Sequence, residues 1–143
     1  MKKLIRLLST FFFLVSCSKQ DLTPITVQTS NGDITYYVEV ADTLPEMQKG
    51  LMNRKKLKAD SGMIFIFKKD HPQPISMWMK NTFISLDMLF LDSNGKIIAL
   101  VQNTTPMSER LIRPTLKPTS YVVELNAGEI KKQGIKIGDK VLY

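Results

Sequence analysis

Apolar and polar side chains alternate along two neighbouring stretches, Ile25-Thr26-Val27-Gln28 and Ile34-Thr35-Tyr36-Tyr37-Val38-Glu39-Val40, with Asn31-Gly32 between them. Alternation of period two marks strands with one buried face. Asn-Gly readily takes the positive φ angles of a type I′ turn, so the pattern predicts a hairpin. At Thr43-Leu44-Pro45-Glu46 the period changes. Thr43 can cap the free amides of a helix, Pro45 suits its first turn, and Glu46 can bond back to the cap. Leu44, Met47, Leu51 and Met52 then share one face, which predicts a short amphipathic helix ending near Arg54.

Beyond the turn Asp60-Ser61-Gly62, the run Met63-Ile64-Phe65-Ile66-Phe67 is apolar at every position, as in a strand covered on both faces. His71-Pro72-Gln73-Pro74 breaks regular pairing. Ile75 to Met79, Leu86 to Leu91 and Lys96 to Val101 read as strands, the last two joined by the hairpin signal Ser93-Asn94-Gly95. Thr104 to Thr119 holds three prolines and no period, which predicts a long irregular connection, often a functional feature of a small domain. Tyr121 to Leu125 is a further strand. Asn126 can cap a second short helix ending at Gly134, and Lys140 to Tyr143 closes the chain as a strand. Together these elements predict an α+β, mostly β fold: a compact antiparallel sheet closed or nearly closed into a small barrel, plugged or covered by two short helices.

The first residues follow another logic. Basic Met-Lys-Lys-Leu-Ile-Arg precedes an apolar run from Leu7 to Val15, broken only by Ser9 and Thr10, and then Ser16-Cys17. That is the layout of an export signal, and the run is shorter than the roughly 20 residues of a permanent membrane span. Leu14-Val15-Ser16-Cys17 resembles the bacterial lipobox. Residues 1–16 are therefore expected to be a lipoprotein signal peptide, with Cys17 acylated and residues 17–24 a linker to a single globular domain over 25–143. Two or more acyl chains give lasting anchorage where one is marginal. The expectation is a lipid-anchored, periplasm-facing protein of the bacterial cell envelope.

Losing the signal takes the basic count from 20 to 17 against 13 acidic residues, and the net charge from +7 to +4. The main basic cluster, Arg54, Lys55, Lys56 and Lys58, can face anionic lipid headgroups but reads better as a solvated helix end, and nucleic acid is not an expected partner. Cys17 is the only cysteine, so the mature domain has no thiol for a disulfide, a thiolate metal site or a nucleophile.

Several segments resemble a bacterial and archaeal family, domain of unknown function 192: Gly50-Leu51-Met52-Asn53-Arg54, Gly62 to Phe67, Met77-Trp78-Met79-Lys80-Asn81-Thr82, Leu86-Asp87-Met88-Leu89-Phe90, and Val123 to Gly128 with Gly138-Asp139. They follow the family's order over about residues 38–143. Ser85 departs from the proline expected in many members. The resemblance implies a small β-rich domain, often exported, and no particular activity.

Three chemistries can be drawn from the residues. Asp87 and Glu124 each interrupt an apolar strand, and two part-buried carboxyls pushed apart in pKa can serve a hydrolase as acid and base. The blander alternative is that each accepts backbone amides or pairs with Arg54 or Lys80. Met77 and Met79, alternating with Trp78, offer thioethers to Cu(I) or Ag(I), although methionines in apolar strands are more often core filler. Finally, Lys80, Asn81, Thr82 and Asp87, with Arg54, Trp78 and Glu124, can form a polar mouth over an apolar floor, the usual layout of a small-ligand site, unless Asn81 and Thr82 only make a polar turn that satisfies backbone groups. No Ser-His-Asp or glycine-rich phosphate motif is present, histidines are too few for a typical zinc site, and no cofactor is expected. The expected role is a non-catalytic ligand-binding or accessory domain, its partners being the membrane through Cys17 and a small ligand or an envelope protein.

Overall fold

The structure, a computed structural model, describes residues 21–67 and 73–143. The expected signal peptide, Cys17 and His71 lie outside the described residues. Strands β1 (Thr23–Thr29) and β2 (Gly32–Ala41) form the first hairpin. Thr29 faces Gly32, so the loop is Ser30-Asn31, and the positive φ falls on Gly32 (121°) rather than on Asn31. The turn is thus not the type I′ turn predicted on Asn31-Gly32. Thr29 holds it instead, its hydroxyl donating to the Gly32 carbonyl at 2.8 Å.

Helix α1 (Leu44–Lys49) has the predicted capping box: Thr43 accepts from the Glu46 amide, and Glu46 accepts from the Thr43 amide at 3.1 Å. It stops at Gly50 (φ 46°), four residues short of Arg54. A Cβ at Gly50 would stand 3.2 Å from the Phe65 ring, so the chain turns where only glycine fits comfortably.

Strand β3 (Ser61–Ile66) is buried on both faces as its composition predicts, and it pairs with β2 in parallel. All other ladders among the described strands are antiparallel: β4 (Leu86–Leu91) with β5 (Ile97–Val101), and β6 (Tyr121–Asn126) between β3 and β4. Helix α2 (Glu129–Gln133) is followed by β7 (Lys140–Leu142), which returns to β1. The sheet order is β5-β4-β6-β3-β2-β1-β7, and a bridge between Lys96 and Lys140 brings its two ends together into a nearly closed barrel.

Two segments differ from expectation. Ile75 to Met79 is no strand. It touches the rest through the isolated bridges Gln73–Thr119 and Met77–Ile112, because the irregular segment opposite it carries Pro106, Pro114 and Pro118, which cannot sustain a ladder. Asn126 does not cap α2. It ends β6 and donates to the Lys58 carbonyl at 2.8 Å, while the helix starts after Gly128 (φ 90°). The cap comes from β4, where Asp87 accepts the Ile130 amide at 2.8 Å.

Alternation along each strand sorts the apolar residues into two layers. Ile25, Val38, Ile64, Leu89, Val123 and Val141 fill the barrel, where Ile130 and Ile135 from the α2 region join them. Met63, Phe65, Met88, Phe90 and Val122 point outward, and Leu51, Met77 and Met79 cover them. This second layer makes the site.

Candidate ligand-binding site

The outer face of β3 and β6 carries a groove of about 460 Å³, walled by α1 and the residues after it on one side and by the 73–78 segment with Leu111 on the other. Its walls are apolar and rich in sulfur: Met47, Met52 and Met77, with Phe65 beneath them. At its floor is Glu124, only 4% exposed.

Strand register explains this placement. Glu39, Met63, Glu124 and Met88 lie opposite one another across β2, β3, β6 and β4, and so share the outer face. Glu124 is flanked in register by two methionines, and no described residue hydrogen-bonds its carboxyl. Burial pushes that carboxyl up to about 8, since a carboxylate charge is poorly tolerated away from water.

Every other deeply buried carboxyl among the described residues has partners. Asp87 accepts the Ile130 amide and, at 2.9 Å, the Asn103 amide. Glu39 is gripped by both terminal nitrogens of Arg54, one at 2.6 Å, which raises the guanidinium pKa. Glu129 accepts from Tyr36 at 2.8 Å, Lys132 at 2.9 Å and Gln133 at 3.2 Å. Burial alone would raise the Glu129 carboxyl, but these donors outweigh it and hold it below the usual range. The Tyr36 hydroxyl is pushed well up by its burial and by Glu129.

Of the polar mouth expected from sequence, Trp78, Thr82 and Glu124 meet at the groove, and the others lie elsewhere. Asp87 and Glu124 sit on adjacent strands but point to opposite faces, Asp87 opposite Leu125 and Glu124 opposite Met88. Arg54 is taken by Glu39, about 10 Å from Glu124 at two strand spacings. Lys80 stands 3.9 Å from Glu109 and 5.5 Å from the Trp78 ring centroid, in reach of a cation–π contact. Asn81 shapes a turn at φ 51°, its carbonyl accepting the Asn53 amide at 2.8 Å. Met77 and Met79 both sink into the outer apolar layer, while Trp78, 41% exposed, lines the groove. Among the described residues no three His, Cys, Asp or Glu side chains gather as metal ligands.

Sequence reasoning missed Glu39 and the part played by α1. Glu39 carried the same signal as Glu124, a carboxylate inside a β-branched run, Val38-Glu39-Val40. The groove walls gave no local signal, because they meet only in the fold.

The family model for DUF192, described as an uncharacterized ACR, matches residues 25–143. The chain belongs to the DUF192 family. Two solved structures resemble this DUF192 domain closely. A protein of unknown function from Novosphingobium aromaticivorans is 35% identical with a TM-score of 0.81, the match covering 90% of this chain and 89% of that one. A putative transcription regulator from Sinorhizobium meliloti is 37% identical with a TM-score of 0.79, covering 85% of this chain and 95% of that one. Since the second consists almost wholly of the matched domain, the DUF192 fold stands on its own. No curated protein matches the chain.

Proposed function

We propose that this protein is a non-catalytic binding module of the bacterial cell envelope, held to a membrane by acylated Cys17 and receiving a small ligand in the outer groove. The observation that carries the reading is the groove itself, a cavity of about 460 Å³ with mainly apolar walls and a few polar groups, the buried Glu124 and Thr82 among them. Clefts of a few hundred Å³ with this balance are the usual hosts of small ligands. Methionine walls suit the role, because unbranched thioethers repack around varied shapes.

The opposed directions of Asp87 and Glu124 favour binding over hydrolysis. Acid and base must reach the same substrate atoms, and both Asp87 oxygens are occupied by backbone amides.

Two experiments test the reading. The domain from Asp21 to Tyr143, with methyl-labelled methionine, is titrated with n-octanol as a minimal apolar probe. Saturable shifts at Met47, Met52 and Met77, together with a change in Trp78 fluorescence, are expected. Shifts confined to methionines elsewhere, or no saturation, would remove the groove as a ligand site. In cells, Cys17→Ser should abolish fatty-acid labelling. Persistent labelling of that variant would end the lipoprotein part of the proposal.

A further inference from the structure

Among the described residues Glu124 is the one deeply buried carboxyl that receives no side-chain or backbone donor, and it lines a cavity open enough to admit a ligand. Asp87, Glu39 and Glu129 are each satisfied by two or more donors. The Glu124 carboxyl is not sealed in the core but opens on the groove, so whatever enters the groove can supply the donor that the described side chains do not. Resting on the groove as the ligand site, we propose that it selects an apolar primary amine, whose ammonium head pairs with Glu124 while its hydrocarbon chain lies along the methionine walls.

Charge complementarity argues for the amine. An ammonium brings both a charge-assisted bond and an opposite charge that offsets the cost of ionising the buried carboxyl, an alcohol brings a donor but no opposite charge, and an anionic head is repelled by the ionised form. Among the described residues, the charged groups around Glu124 leave this role open. On α1, Lys49 is exposed at the groove rim; on β2, Glu39 already holds Arg54; the in-register neighbours on β3 and β4, Met63 and Met88, carry no charge; and no ionisable side chain lines the groove from the 73–82 segment or Leu111.

Because burial holds the free carboxyl near 8, an incoming ammonium must displace its proton. Amine affinity therefore rises as pH rises through that value, until the amine begins to lose its own proton near about 10. Affinity for a neutral alcohol carries no such rise.

The test uses the domain from Asp21 to Tyr143 with three probes of equal chain length, n-octylamine, n-octanol and octanoate, all below their aggregation limits. Trp78, the only tryptophan and a groove residue, reports binding. Octylamine is expected to bind about tenfold or more tightly than octanol near pH 8.5, to tighten from about pH 6 upward, and to fall to the level of octanol in Glu124→Gln, with octanol unchanged. Equal binding of amine and alcohol by the unmodified domain, with no pH dependence, would overturn amine selection and leave the groove standing. Failure of all three probes to bind would overturn both. The comparison of probes and the pH series need no variant, so they decide the matter even if Glu124→Gln folds poorly.

Discussion

Among the described residues four acidic side chains lie buried, and for Glu124 and Glu129 the surroundings set opposite responses to pH. Glu129 is held below the usual carboxylate range, so its stabilisation is present above that range and is lost as pH falls. Glu124 runs the other way. Its carboxyl rises from an ordinary 4.5 to about 8, so the folded state holds this proton more tightly than the unfolded chain. Its contribution is complete below about 4.5 and is lost as pH climbs through about 8. Urea unfolding of the domain should therefore show stability falling across that window, by at most about 1.4 kcal/mol per pH unit for a single group. Glu124→Gln should flatten the slope and exceed the native protein in stability above about pH 8. An unchanged slope in the variant would mean that Glu124 titrates in the fold much as it does in the open chain.

Among the elements, those written by local pattern were legible and those written by distant contacts were not. The β1–β2 hairpin, the Thr43–Glu46 capping box, the doubly covered β3 and the hairpin at Ser93-Asn94-Gly95 all follow from residues a few positions apart. The turn type before Gly32 was misread because Thr29 supplies a side-chain bond that competes with the Asn-Gly preference. Ile75 to Met79 has the composition of a strand, but strand pairing needs a partner, and the proline-bearing segment opposite provides single bridges only. The cap of α2 was out of reach for another reason. Asp87 lies 43 positions from Ile130, and only the closed barrel brings them together. The same limit governs the site. Burial of Glu124 was readable from Val122-Val123-Leu125, whereas its face, its lack of a partner and the α1 wall over it depend on strand register across the whole sheet.

At the scale of the whole molecule, what turns a seven-stranded sheet into a barrel is the seam where the first residues of β5 meet β7. The Val141 amide donates to the Gly95 carbonyl at 2.8 Å, and the Ile97 amide donates to the Asp139 carbonyl at 2.9 Å. Closure at so short a contact requires glycine. Gly95 has φ +77°, and a Cβ there would stand 2.3 Å from the Val141 carbonyl oxygen, a clash that no side-chain rotation relieves. Gly128 provides the control, with φ +90° and nothing within 4 Å of its added Cβ. Gly128→Ala should cost about 1 kcal/mol from the backbone conformation alone, and Gly95→Ala should cost more, about 2–4 kcal/mol, by adding the clash to the same strain. Amide hydrogen exchange locates the damage. Val141 and Ile97 should lose protection in Gly95→Ala, while Ile64 and Val123 in the middle of the sheet keep theirs, because the ladders among β3, β4 and β6 do not pass through the seam. Equal costs for the two alanine variants, with the Val141 amide still protected, would show that β7 can shift outward freely and that closure is not what fixes the barrel.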